Sequence, residues 1–221
     1  MKQRSLLALG AFFFATGLSA SAVQADDEVV RYAITITNVT RGQVITPPVV
    51  ISHNQGFKLF TVGAPAIPEL AALAEDGPTA PLLSLLPSLP PVLDFAAATA
   101  PILPGASVTL EVRTSGLFRS ITAVGMLATT NDAFFAVQGV AVPKNGKATV
   151  EAEAYDAGSE RNSESCAFIP GPPCGSAGVR DTAGAEGYVH IHAGVHGIGN
   201  LVPATHDWRN PVAEITIRRI P

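Results

Sequence analysis

The chain has 221 residues, of which 47% are hydrophobic and 14% charged, with a formal net charge of −4 at pH 7. That length suits one β domain with embellishments, or at most two small domains. The acidic balance and the lack of any basic block exclude nucleic acid as an expected partner.

The opening stretch MKQRSLLALGAFFFATGLSASAVQA carries Lys2 and Arg4, then an apolar run from Leu6 to Leu18, then small residues ending in Val23-Gln24-Ala25. This is the pattern of a secretory signal peptide over residues 1–25. A membrane anchor is the weaker alternative, because the apolar run is shorter than a bilayer span. Residues 26–221 are then one exported domain, secreted or periplasmic, with no transmembrane segment after cleavage. Prolines and serines interrupt the later apolar stretch from Leu82 to Leu93. Cleavage removes two of the 14 basic residues and none of the 18 acidic ones, so the remaining chain is more acidic still.

Two-residue alternation then dominates. RYAITITNV sets Tyr32, Ile34 and Ile36 against Ala33, Thr35 and Thr37. The segment IPELAALAEDGPTAPLLSLLPSLPPVLDFAAATAPILPG breaks the pattern and predicts an insertion over about residues 64–104. Pro68 suits the first turn of a short helix, with Gly77 just past its end. A second helical turn is expected near Leu82 to Leu86, and the prolines rule out one long helix. The insertion is expected to pack over one end of the domain; an apolar partner-binding surface is the alternative.

Alternation resumes in ASVTLEVRT, with Val108, Leu110 and Val112 opposite Thr109, Glu111 and Arg113. ITAVGML is apolar on both faces, as a central strand can be, and AFFAVQGVAV follows before the turn Pro143-Lys144-Asn145-Gly146. KATVEAEAY sets Ala148, Val150, Ala152 and Ala154 against Thr149, Glu151 and Glu153. GYVHIHA pairs Val189 with Ile191 and His190 with His192, and PVAEITIRRI reads as the last strand. Short strands separated by Gly, Pro and Asn turns indicate an all-β, antiparallel sandwich or barrel.

Three groups of residues invite chemistry. The stretch YDAGSERNSESC follows a strand and offers Asp156, Glu160 and Glu164, with Gly158 allowing a sharp turn. Hard cations such as calcium take several oxygens at about 2.3–2.6 Å from carboxylates and loop carbonyls. Asp132, just ahead of another strand, joins Asp156 and Glu160 around one ion if the strand ends meet. Solvated turn formers are the plainer reading of each acid alone. HIHAGVHG supplies His190, His192 and His196, with His206 beyond; two histidines on one strand face plus a third suit zinc or copper. Histidines on an exposed face, or bonded to nearby loops, are the competing reading. Cys166 and Cys174, with seven residues between them, read as a disulfide in an exported protein, with thiolate metal ligation or a catalytic thiol as lesser readings. No GxSxG elbow, GxGxxG or P-loop occurs, so catalysis finds little support.

TNDAFFAVQGV followed by AYDAGSERNSE resembles the spondin-type domain, a module of the matrix protein F-spondin and of exported bacterial proteins. Thr130-Asn131-Asp132-Ala133-Phe134 stands where the family has Ser-Pro-Asp-Trp-Phe, and Asp156-Ala157-Gly158-Ser159-Glu160 where it has Asp-Ala-Gly-Thr-Asp/Glu. The ending DWRNPVAEITIRRI is similar to the family's last strand, and YAITITNVTRGQVITPPVVISH to its first two. The resemblance covers most of residues 30–220. It implies a two-sheet, C2-like β-sandwich with calcium held at one end by Asp132, Asp156 and Glu160. It also implies binding or adhesion to a cell-surface or extracellular-matrix component rather than enzymatic activity. Ala133 replaces the family's aromatic residue, and the insertion differs from the animal forms.

Overall fold

The computed structural model describes residues 28–221. The signal peptide read over residues 1–25 lies outside them. Nine strands follow one another: β1 Val30–Asn38, β2 Val49–His53, β3 Val92–Ala97, β4 Ser107–Thr114, β5 Ser120–Met126, β6 Ala133–Ala141, β7 Lys147–Asp156, β8 His190–Ile191 and β9 Ala213–Ile220. The helices are α1 Pro68–Asp76, α2 Ala80–Leu85, running into a 3-10 turn at Leu86–Ser88, and α3 Pro203–His206. No helix among the described residues is long and apolar enough to cross a membrane.

Every strand pairing is antiparallel, and the sheet runs β3-β2-β5-β6-β7-β9-β1-β4, with β8 added to the end of β7. The all-β expectation therefore holds. Its two halves are joined through β7, which pairs with β9 over residues 147–152 and with β6 over residues 153–156. The sheet curls until its outer strands meet. Asp94 of β3 accepts the backbone N–H of Arg113 in β4 at 2.8 Å and pairs with its guanidinium at 3.1 Å. Side chains, rather than a ladder, thus bring the two edges together.

Burial explains why some strands alternate cleanly and others do not. Ile34, Ile36, Val112, Ala152, Ile215 and Ile217 point into the interior of the curl, with Val50, Ala123 and Phe135 facing them. The outer face of β1, β4, β7 and β9 meets solvent and carries hydroxyl pairs such as Thr35–Thr109 and Thr149–Thr216. One dry and one wet face produce the two-residue pattern. On β2, β5 and β6 the outer face is also covered. Val49, Ile51, Val124, Met126 and Phe134 lie beneath Leu70, Leu73, Leu82 and Leu86 of the insertion. This double burial is why ITAVGML has no polar face.

The insertion accordingly covers a sheet face rather than one end of the domain. Its helix α1 forms where expected: Pro68 fills the first turn, Leu70, Leu73 and Ala74 make the buried stripe, and Gly77 closes the end by donating to Leu73 O at 2.8 Å. Complete burial of one leucine is worth about 1.5–3 kcal/mol, so the leucines rather than the short helices hold the insertion down. Strand β3 lay hidden in the proline-rich composition, and β2 was legible only through the spondin resemblance. The Cys166–Cys174 disulfide is formed, so no thiol remains for metal ligation or nucleophilic attack.

Candidate functional site

The register of β6 and β7 builds the acidic pole. Ala133 pairs with Asp156, which sets Asp132, one residue earlier, beside the end of β7. Thr130 makes the preceding turn, its hydroxyl donating to Leu127 O at 2.6 Å and accepting the Ala133 N–H at 3.0 Å. After β7 the chain folds back, and Ala157 N donates to Asp132 O at 3.1 Å. Gly158 then takes φ +66, and a Cβ there would stand 2.3 Å from Tyr188 O. Only glycine suits both the left-handed backbone and that close approach.

The two connections meet at Asp132. Its Oδ2 accepts the backbone N–H groups of Ser159 at 2.8 Å and Glu160 at 2.9 Å, and the Ser159 hydroxyl at 3.2 Å. Asp156 Oδ1 accepts Gly158 N–H at 2.6 Å, and Oδ2 accepts the Asn162 amide. His190 Nδ1 lies 3.7 Å and His192 Nε2 3.9 Å from the same carboxylate. Glu160 Oε1 accepts Asp181 N–H at 3.3 Å and faces Arg180 Nε at 3.6 Å. That arginine is shared, because it also pairs with Glu75 and Asp76 at the end of α1.

Asp132, Asp156 and Glu160 are all shielded completely from solvent. Burial raises the Asp132 carboxyl above the ordinary carboxylate range, and the charge of Asp156 adds to the rise. Burial raises Asp156 as well, against the bonds from Asn162 and Gly158. Glu160 is pushed up to about 7, mainly by burial, with Arg180 opposing. Among the described residues, five buried side-chain N and O atoms lack a hydrogen-bond partner. Two are carboxylate oxygens of this pole, Asp132 Oδ1 and Glu160 Oε2, and a third is Nη1 of the adjacent Arg180. Unpartnered polar atoms buried in protein are costly, so their concentration here marks the pole.

These donors are chemically suited to a hard cation, being carboxylate oxygens. Even so, among the described residues no three His, Cys, Asp or Glu side chains are grouped as a ready metal site. The fit to a cation thus rests on two open oxygens, not on a preformed triad.

The histidine segment differs. His192 is buried, its ring 5.0 Å from that of Trp208. Its Nδ1 accepts Gly194 N–H at 2.9 Å, which leaves the proton on Nε2, 3.1 Å from Asn162 Oδ1. Both ring nitrogens are therefore engaged within the protein. Burial, with the neighbouring His190 and His196, lowers this group to about 4. His190 contacts Tyr188 O through Nδ1 at 3.2 Å, and His196 is exposed. Strand β8 ends at Ile191, but the His192 N–H still donates to Ala154 O at 3.2 Å, so the ladder register reaches His192 and both rings lie within 4 Å of the Asp156 carboxylate.

Sequence reasoning missed the role of Glu164. Its carboxylate accepts three successive backbone N–H groups, from His196, Gly197 at 2.7 Å and Ile198 at 3.0 Å. Its backbone is also tied, donating to Asn131 Oδ1 and accepting Asn200 N–H at 2.7 Å. A solitary Glu in a polar loop carries no signal for such a clamp. Asn162, which links Asp156 to His192, was equally unmarked.

Compared with models of known protein families and with curated proteins, the chain finds no match in either.

Proposed function

We propose that the chain is an exported binding module of spondin type, a C2-like β-sandwich stabilised by calcium, that engages a cell-surface or extracellular-matrix component rather than catalysing a reaction. The observation that carries this reading is the pair of buried carboxylate oxygens, Asp132 Oδ1 and Glu160 Oε2, that make no full hydrogen bond, although the Asn131 amide lies close enough to Glu160 to favour its charged form. A divalent cation between the two connections would take up these oxygens and neutralise carboxylates that burial otherwise disfavours. Asp156 would contribute charge, and Ser159 and Glu160 would be held through Asp132. The disulfide and the lack of a membrane-spanning helix among the described residues are compatible with life outside the cytoplasm.

The test is thermal unfolding of the mature protein in calcium and in chelator, with calorimetric titration of calcium. Saturable binding and a raised Tm, both lost in Asp132→Asn, support the reading. An unchanged Tm removes it. Stoichiometric zinc or copper that disappears on joint His190→Ala and His192→Ala substitution, with no calcium effect, would transfer the function to the histidines.

A further inference from the structure

Strands β6 and β7 are consecutive, joined through residues 142–146, yet they pair only at the end far from that turn, residues 133–136 with 153–156. Next to the turn they splay. The cause lies in β6, where the register against β5 shifts between Ile121 and Ala123. Opposite that shift Gly139 takes φ +72 and donates its N–H to Thr122 Oγ1 at 3.2 Å. A glycine bulge of this kind bends the strand that carries it. Between the splayed strands is a cleft of about 650 Å³.

Backbone edges of β6 and β7 form two walls of this cleft, and Phe60, Thr61, Val62, Asn210 and Pro211 also line it. On β7, Ala152 O accepts from Val212, Ala154 N donates to Asn210 Oδ1, and Ala154 O accepts from His192. Peptide groups of the even-numbered residues thus face β9 and β8. Those of Thr149 and Glu151 face the cleft by strand alternation. Among the described residues no strand pairs with that stretch of β7 on this side, nor with residues 137–141 of β6 on the side away from β5. The floor is apolar, because Val137, Val140 and Val150 are interior-facing side chains laid open by the splay. On the outer rim Glu151 and Glu153 are exposed, and Lys58 stands among the lining residues as their one cation.

We propose that the β6–β7 cleft is a strand-acceptor site for an extended, cationic peptide segment of a protein partner. A strand lying between β6 and β7 would complete the hydrogen bonds of two open edges at once. Its alternate side chains would fall on the Val137, Val140 and Val150 floor, and the intervening ones would reach Glu151 and Glu153. Alternating apolar and basic residues satisfy both requirements. The paired segment of β6 and β7 separates this cleft from the acidic pole, so the site does not depend on a bound cation.

The probe is a fluorescein-labelled peptide, Thr-Val-Lys-Val-Thr-Val-Lys-Val-Thr, titrated with the mature protein in chelator and followed by anisotropy. Saturable binding is expected, weakened at least about tenfold by joint Glu151→Lys and Glu153→Lys substitution. The same peptide N-methylated at alternate residues should fail to bind wild-type protein, a control that needs no altered fold. Thr149→Pro, which removes an N–H aimed at the cleft and spares the β9 ladder, should also abolish binding. Equal affinity for the N-methylated peptide, or for the double-lysine variant, overturns the proposal. So does absence of saturation up to about 1 mM. A concentration-dependent dimer abolished by Thr149→Pro would make a second copy of the chain the occupant, and would equally overturn it.

Discussion

The acidic pole and the histidine segment lie side by side, linked by Asn162, and they solve the burial of polar groups in opposite ways. In the histidine segment the protein supplies its own partners. Both nitrogens of His192 are engaged, and three backbone N–H groups converge on Glu164. At the pole, Asp132 Oδ1 and Glu160 Oε2 are left over, and the nearest cation is divided among three carboxylates. A residue type that looks like a ligand therefore says little until its remaining lone pairs are counted. His192 has spent its own, and Asp132 and Glu160 have not.

The largest effect expected is that of Glu164→Ala. It leaves three backbone donors without their charged acceptor, and bonds to charged groups are worth about 1.5–3 kcal/mol each, so a loss of about 3–5 kcal/mol is expected after solvent recovers part of it. Urea unfolding should show this loss equally in calcium and in chelator. A loss that calcium repairs would erase the distinction between the two regions.

Calcium itself comes next. At a hundredfold excess over Kd it should stabilise by about 2.7 kcal/mol, or roughly 5–10 °C in Tm for a domain of this size. Asp132→Asn should remove the gain while costing little in chelator, since an amide oxygen can still accept the Ser159 and Glu160 N–H groups. An undiminished calcium response in Asp132→Asn would place the ion elsewhere.

The pH dependence without metal sharpens the contrast further. Asp132, Asp156 and Glu160 have carboxyls raised in the fold, so the native state holds protons that the unfolded chain releases. The Glu160 contribution is complete below the ordinary carboxylate range and is lost as pH rises through about 7; those of Asp132 and Asp156 have the same sign. His192, lowered to about 4, has the reverse sign. Its contribution is complete above the ordinary histidine value and is lost as pH falls toward 4. Thermal melts in chelator should show both slopes. Glu160→Gln should flatten the alkaline one and His192→Ala the acid one; a common response to both variants would mean the regions titrate as one unit. Calcium, which competes with protons for the carboxylates, should stabilise more at pH 8 than at pH 5.

The smallest expected effect is that of zinc or copper on the wild-type protein, a Tm change below about 1 °C, because binding must first break the bonds of His192. His190→Ala should leave the calcium response intact. A large zinc shift lost in His192→Ala would invert the comparison.

Particular residues show how far the sequence could be read. Helix α1 was legible from Pro68, the leucine spacing and Gly77, all local signals. The alternation of β1, β4, β7 and β9 was legible because each has one wet face. Strand β3 was not, because its proline-rich flanks and partly buried pattern imitate a loop. Asp132, Asp156 and Glu160 could be singled out by residue type and by a resemblance. That Asp132 binds the backbone of the loop carrying Glu160, instead of sharing a preformed ion site, required coordinates. The Glu164 clamp required them too, since its donors come from residues 196–198, more than thirty positions away.

By itself the sequence determined what depends on neighbours in the chain: strand periodicity, the start and end of α1, the tight turn at Gly158, and two cysteines placed to bridge. Only the tertiary structure decided that the strands form one curled sheet, that the insertion covers its face, and that β6 and β7 part at Gly139. It also decided which carboxylate oxygens stay unpaired. Local conformation is selected by steric limits that act over a few residues. Sheet order and polar saturation depend on which distant groups compete for the same buried space and the same lone pairs.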